Sequence, residues 1–290
     1  MANFKGIFTF TAFSWLWGCG FFAFFQWALQ DRLAWLALVL TSWGLPAWML
    51  LRYLRPTVFA GDDRESPALA VVLAGLAVAL LADTERGAPL YLSLLNLGLV
   101  LVYLFHASSV HHGPMPDIDT LFPRLQSINK PGDEIRDRLH QYEAGGALVI
   151  IARGSFCGSS RKLVAELAGL EPALEKHGAI GVVLTAEPAD HWTAGAPRDS
   201  GRTNFLTVAA GSGDASTFFV EPGGVPLWVR LLGIRRAGRR RRSGFGACRP
   251  SLWLVDRDGY VLWRHLPANY RQPGDSALLR AQLSRLEPDD

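Results

Sequence analysis

Four long apolar segments fill most of the first 110 residues and constrain the fold more than any other feature. They cover 7–29, 33–51, 67–83 and 89–106, and a helix needs roughly 20 residues to cross the hydrocarbon core of a bilayer. The first segment is too long and too aromatic for a cleaved signal peptide, and further apolar segments follow it. We therefore expect residues 1–110 to form an α-helical membrane bundle of four transmembrane helices, with the lipid bilayer as its partner.

The charges around these segments bear on transport and on orientation. None of the four segments carries an ionisable residue at its centre, and transporters and proton pumps place such groups along their pathways. One side of the predicted bundle carries Lys5, Arg52, Arg55, Arg64, Arg124 and Lys130, whereas the other carries Arg32 and Arg86. By the positive-inside rule, we expect an integral protein of a bacterial-type inner membrane whose C-terminal domain lies in the cytoplasm.

The chain changes character after the bundle. Residues 111–134 are rich in proline and have no helical period, which predicts a linker. Beyond it, apolar runs predict strands at 147–152, 179–185 and 205–208, and helices at 158–176 and 213–220. We expect Pro172 to kink or interrupt the first of these helices. Two further strands flank an Asp-Gly turn within 251–266, and a helix at 275–286 closes the chain. A β-α-β unit followed by a hairpin and a helix predicts an α/β thioredoxin-like domain at 135–290.

Cys157 is the residue in this domain with the clearest chemical potential. It follows the apolar run ALVIIA and a glycine-containing turn, and it precedes the predicted helix. Backbone N–H groups and the helix dipole favour a thiolate at such a position. The chain has three cysteines, Cys19, Cys157 and Cys248, which is too few for a disulfide framework. The sequence therefore predicts a reactive thiol rather than a structural disulfide.

Two motifs of the second half of the chain are distinctive: ARGSFCGSSRK at 152–162 and RPSLWLVDRDGYVLWRHLPANYRQ at 249–272. Both resemble the peroxiredoxin-like branch of the alkyl hydroperoxide reductase/thiol-specific antioxidant family. The first motif matches the family at Arg153, Gly154, Phe156, Cys157 and Arg161. The resemblance covers about 130–288 and implies a thioredoxin fold, in which Pro250 takes the place of the cis-proline that faces the reactive cysteine.

Three departures from the family pattern lie close to Cys157. Ser160 stands where the family has the second cysteine of its CxxC motif, so a disulfide across the helical turn is impossible. Gly158 stands where the family has a proline after the first cysteine. Gly154 stands where typical peroxiredoxins have a threonine that orients peroxide, as in the branch the chain resembles. We therefore expect single-cysteine chemistry that reduces a peroxide or exchanges a protein disulfide, without a cofactor.

Several neighbours would assist Cys157 in that chemistry. Arg153 and Arg161 would supply positive charge that favours the thiolate, and Ser160 would donate a hydrogen bond to the sulfur. Cys248, two residues before Pro250, is a candidate resolving cysteine; otherwise thioredoxin or glutathione would resolve the oxidised thiol. The alternative from a different class is a membrane-tethered thioredoxin-fold protein that binds a partner or acts as a scaffold without catalysis.

Two further clusters of residues bear on membrane docking and metal binding. Arg235, Arg236, Arg239, Arg240, Arg241 and Arg242 form a basic run, which would dock on an anionic membrane surface or form a solvated insertion. No recognised fold or aromatic platform accompanies it, so we expect no nucleic-acid partner. The second cluster is His106, His111 and His112, which precede Asp117 and Asp119. These histidines are weak candidates for metal ligands; the alternative is a solvated histidine cluster at the membrane interface. We expect no metal.

Overall fold

The computed structural model describes residues 2–54, 65–124, 135–187, 192, 202–207, 219–221 and 247–286. These residues belong to two compact units, which divide between Ser109 and Val110. The predicted helix at 213–220 and the basic run at 235–242 lie largely or wholly outside the described residues.

The first unit consists of four apolar helices: α1 (Ala2–Gln30), α2 (Leu33–Leu54), α3 (Ser66–Ala82) and α4 (Ala88–Val102), the last continued by a π-helical turn, Tyr103–Ala107. Among the described residues, three segments are long and apolar enough to span a membrane: Phe4–Gln30, Leu33–Arg52 and Ala88–Ala107. Helix α3 has 17 residues and does not reach that length. Because a residue in a helix rises about 1.5 Å, α3 extends about 25 Å, and the prediction of four transmembrane helices is not confirmed.

A buried polar cluster connects three of these helices. The side-chain oxygen of Asn96 in α4 accepts a hydrogen bond from the Trp15 indole of α1 at 3.0 Å. The Asn96 amide nitrogen donates to the Ser42 hydroxyl of α2 at 2.8 Å and to the Cys19 sulfur of α1 at 3.6 Å. Asn96 and Ser42 are fully buried. Each buried polar group thus has a partner on another helix, which fixes how the helices meet.

The second unit is an α/β domain built on a five-stranded mixed sheet, beside which the described residues form a separate two-stranded sheet. Its helices are α5 (Ile135–Gln141), α6 (Gly158–Glu166), α7 (Glu171–Lys176) and α8 (Ser276–Leu283). Its strands are β1 (Gly146–Ile151), β2 (Ala179–Thr185), β3 (Thr203–Thr207), β4 (Val220–Glu221), β5 (Ala247–Cys248), β6 (Ser251–Asp256) and β7 (Val261–His265). A 3₁₀ turn, Leu167–Leu170, separates α6 from α7 just before Pro172, so the helix is interrupted near the proline where an interruption was predicted.

The strand order β3-β2-β1-β6-β7 has the predicted thioredoxin-type arrangement. β1 pairs in parallel with β2 and antiparallel with β6, and β6 and β7 form the predicted hairpin. Every residue of β1 and β2 is buried, because both faces of the sheet are covered. Apolar side chains alternate between two core clusters: Val149 lies in one with Trp253, and Leu148 lies in the other with Leu163 of α6.

Residues 110–122, here called the strap, lie along β7 at one end of the sheet. Val110 donates its N–H to the Ala268 carbonyl at 2.9 Å, and Phe122 donates to the Gly259 carbonyl at 2.8 Å. Asp119 and Thr120 exchange backbone hydrogen bonds with Val261 at 2.9 Å each. The side chain of Phe122 enters the core, where its ring centroid lies 5.5 Å from that of Trp253. The first part of the predicted linker is therefore paired and packed against the domain.

Candidate functional site

Cys157 lies between the end of β1 and the start of α6. It is the N-cap residue of α6, with extended backbone angles (φ −90°, ψ 117°), and it is half-buried and not part of a disulfide. Its N–H donates to the Gly154 carbonyl at 3.0 Å, and its carbonyl accepts the first helical hydrogen bond from the Arg161 N–H at 3.0 Å. The thiol thus stands at the helix N-terminus, as the sequence predicted, where unpaired N–H groups and the dipole favour an anion.

Arg153 is held on several sides next to this turn. Its guanidinium carbon lies 3.6 Å from the ring centroid of Tyr270 and 5.5 Å from that of Phe156. Such positions over aromatic faces are favourable for a cation. Its backbone N–H donates to the Ser160 hydroxyl at 3.1 Å, and its carbonyl accepts from the Cys248 N–H at 3.1 Å. Arg153 therefore links the β1 end, the first turn of α6 and the short strand β5.

Ser160 is buried in the first turn of α6. We expected its hydroxyl to donate to the Cys157 sulfur, but within the described residues its hydrogen bond is the one accepted from the Arg153 N–H. The physical reason is that β1 has ended, so the Arg153 N–H lies beyond the sheet and is paired by this side chain. Arg161 follows on the same turn and is half-buried.

Cys248 lies in β5 and is completely buried and free. Burial raises the pKa of its thiol to about 12, the Glu187 carboxylate adds to this, and a hydrogen bond with the Ala186 backbone opposes it. At neutral pH Cys248 is therefore a neutral thiol, and the thiolate is the form that attacks a disulfide or a sulfenic acid.

Pro250 is buried between β5 and β6. The family resemblance implied a cis-proline there, but no peptide bond among the described residues is cis, so that expectation is wrong. The trans isomer found here is the one that bonds preceding proline favour, by about 0.5–1 kcal/mol.

Two residues near the turn were missed by the sequence reasoning. Glu187 follows β2, is 4 % exposed, and accepts a hydrogen bond from the Ser155 N–H at 2.6 Å. Tyr270 covers Arg153 as described above. A signal for Glu187 existed: β1 and β2 are parallel neighbours, so the residues after each strand meet at one edge of the sheet. Tyr270 lies inside the second motif, but its sequence position alone gives no contact with Arg153.

The histidines named as weak metal candidates do not form a recognisable site. Among the described residues, no three His, Cys, Asp or Glu side chains come together in a way that would hold a metal ion. His112 Nε2 lies 2.8 Å from the carbonyl oxygen of Pro267, so this ring of the strap has a partner in the segment that follows β7.

Comparisons with known proteins return peroxiredoxins. The solved structures similar to this chain include a cysteine-to-serine variant of the peroxiredoxin 6 of Arenicola marina, at a TM-score of 0.42 and 12 % identity, covering 59 % of this chain and 73 % of that chain. They also include the reduced Prx3 of Vibrio vulnificus, at a TM-score of 0.41 and 13 % identity, covering 59 % of this chain and 99 % of that chain. A thiol peroxidase from Chromobacterium violaceum is similar at a TM-score of 0.36 and 14 % identity, covering 61 % of this chain and 91 % of that chain. No family description and no curated protein sequence matches the chain.

Proposed function

We propose that the chain is a membrane-anchored thiol oxidoreductase of the peroxidase type that works through one cysteine, Cys157. The observation that carries the proposal is the placement of this half-buried, free thiol at the first turn of α6, directly after a buried parallel strand. Arg153 and Arg161 would supply positive charge beside the thiol. Pro250 would lie on the neighbouring connection between β5 and β6. A thiol at a helix N-terminus near basic side chains is the environment of reactive cysteines.

The proposed reaction begins with the thiolate of Cys157. Its sulfur attacks the nearer oxygen of a hydroperoxide, the O–O bond breaks, and the leaving alkoxide or hydroxide takes a proton to leave as an alcohol or water. Cys157 is oxidised to a sulfenic acid. A first external thiol then attacks this sulfur, releases water and forms a mixed disulfide, and a second thiol returns Cys157 to the reduced state.

The burial of Cys248 favours an external thiol, such as thioredoxin or glutathione, over Cys248 as the resolving group. A thiol with a pKa of about 12 is almost wholly protonated at neutral pH. Resolution by Cys248 would also require this buried residue to leave the core cluster that contains it.

The proposed anchor is the first unit. Three of its helices meet the length and composition of a membrane span, and α3 would be a shorter fourth span accommodated by local thinning of the bilayer. The basic residues favour a cytoplasmic α/β domain, and the run Arg239–Arg242 would contact the anionic surface of that leaflet.

The test is peroxide oxidation of the full-length chain in detergent. Sulfenic acid trapped with dimedone and located by mass spectrometry should appear on Cys157 and be absent in Cys157→Ser, while Cys19→Ser should behave as the unmodified chain. Turnover with glutathione or thioredoxin should persist in Cys248→Ser. Absence of an adduct on Cys157 at any peroxide concentration that leaves the fold intact would refute the peroxidase proposal and favour the non-catalytic binding function.

A further inference from the structure

Glu187 is a buried carboxylate that takes no part in the proposed reaction steps. Burying a charged side chain is costly unless hydrogen bonds or opposite charges compensate it. Here the Ser155 N–H donates to Oε2 at 2.6 Å, the short distance expected when an ionised group takes part. The backbone N–H of Glu187 donates to the Thr185 hydroxyl at 3.2 Å, which fixes the end of β2 from which this side chain projects.

The carboxylate lies directly against the turn that carries Cys157. A methyl group added at Gly154 would lie 3.2 Å from Glu187 Oε1, so one carboxylate oxygen lies near Gly154 while the other accepts from the Ser155 N–H. The turn itself has one backbone bond across it, from the Cys157 N–H to the Gly154 carbonyl. A short turn with one internal bond depends on outside contacts for its position, and Glu187 supplies a charge-assisted one.

The same carboxylate acts electrostatically on the second thiol of the domain. Its negative charge contributes to the raised pKa of Cys248, after burial, which is the larger cause. Cys248 also donates its N–H to the Arg153 carbonyl at 3.1 Å, so Glu187 and β5 together approach the segment 153–157. Glu187 thus holds the turn before Cys157 through the Ser155 N–H and raises the pKa of the Cys248 thiol in the core.

We propose that Glu187 is a positioning residue for Cys157: its carboxylate, by accepting the Ser155 N–H, holds the 154–157 turn in the geometry that presents the thiol to substrate. This role rests on the proposed function in that Cys157 is taken as the reactive group. Glu187 does not touch the substrate in this account; it acts through the backbone of the turn.

Two substitutions at Glu187 distinguish the effect of the hydrogen-bond acceptor from the effect of side-chain volume. Glu187→Met keeps a similar side-chain volume and removes the acceptor, whereas Glu187→Gln keeps a side-chain carbonyl that can accept from Ser155. Glu166→Met is the matched control, because Glu166 also accepts a backbone N–H, from Ser276 at 3.2 Å, at the start of a different helix. All variants are made in the full-length chain in detergent.

Two readouts apply to each variant. Hydrogen exchange of peptides covering 153–157 reports the turn, and exchange of β1 peptides in the same sample reports the fold. The rates at which Cys157 reacts with hydrogen peroxide and with iodoacetamide show how well the turn exposes and orients the thiol toward a reactant. For Glu187→Met we expect at least tenfold faster exchange in the turn with unchanged exchange in β1, and at least tenfold slower reaction with peroxide. Glu187→Gln should restore both values to within about threefold, and Glu166→Met should change neither.

The proposal is overturned if Glu187→Met leaves the turn and the Cys157 rates unchanged, if Glu187→Gln fails to restore them, or if β1 loses protection in parallel with the turn, which would make the role purely structural. Failure of the proposed function gives a different pattern: the unmodified chain would not react with peroxide. In that case turn exchange and iodoacetamide rates still decide whether Glu187 holds the turn.

Discussion

Substituting Gly154 with alanine should both destabilise the α/β domain and disturb Cys157. Gly154 has a φ of +155°, in a region that residues other than glycine rarely adopt, at a cost of about 1–3 kcal/mol. The added Cβ would lie 2.5 and 2.9 Å from two ring atoms of Phe156, so the half-buried ring must move. Overpacking typically costs about 1–3 kcal/mol. Since this ring is at the flexible end of its side chain, we expect a total of about 2–4 kcal/mol.

The assay is hydrogen exchange of β1 amides in the full-length chain in detergent, which reports global opening of the domain. A loss of about 2 kcal/mol should accelerate exchange about thirtyfold, since 1.4 kcal/mol corresponds to a factor of ten. Gly169→Ala is the control: its Cβ would meet nothing within 4 Å, and it lies in the helical turn Leu167–Leu170. There alanine should stabilise by up to about 1 kcal/mol.

An acceleration of less than threefold in Gly154→Ala would refute this reasoning. It would mean that the turn accepts a side chain at residue 154, and therefore that neither the backbone angle nor the contact with Phe156 constrains the segment before Cys157. An equal loss in Gly169→Ala would likewise show that the effect is not specific to the turn.

Two further predictions concern a hydrogen bond and a titration. Ser160→Ala should destabilise the domain by about 1–3 kcal/mol, because it leaves the Arg153 N–H without its acceptor; denaturant unfolding of the full chain measures this. The pKa of His265 lies below its ordinary value of 6.5, because of burial first and then the positive charge of His112, with Asp275 opposing. The unfolded chain then binds the proton more readily, so this contribution to stability is complete above pH 6.5 and is lost as pH falls below it. His265→Gln should remove that component of the pH dependence, and an unaltered profile would contradict it.

The parts of the fold that the sequence predicted well are those set by local apolar pattern. The strand predicted at 179–185 is found at Ala179–Thr185, and the one predicted at 147–152 is found at Gly146–Ile151. Both are apolar runs buried on two faces, so their period is unambiguous. The helix predicted at 158–176 is broken at Leu167–Leu170, since Pro172 lacks the N–H that a continuous helix would need.

The candidate site was predicted in part, for a physical reason. Cys157 belongs to one continuous strand-turn-helix segment, and its location at the helix start follows from sequence alone. Glu187 and Tyr270 reach the same turn from segments more than 30 and 110 residues away, and such contacts depend on how the sheet brings strand ends together. The isomer at Pro250 likewise depends on tertiary context rather than on the motif.

The strap changes where the soluble part of this protein should be considered to begin. A truncation starting at residue 135, the boundary that composition suggests, would remove Phe122, which is 7 % exposed and packs against Phe219 and Trp253. Losing a buried phenylalanine typically costs about 3–5 kcal/mol. The same cut would leave the N–H and C=O groups of Val261 without their partners in the strap, and bare strand edges promote aggregation. A fragment intended to remain in solution should therefore retain the chain from residue 110.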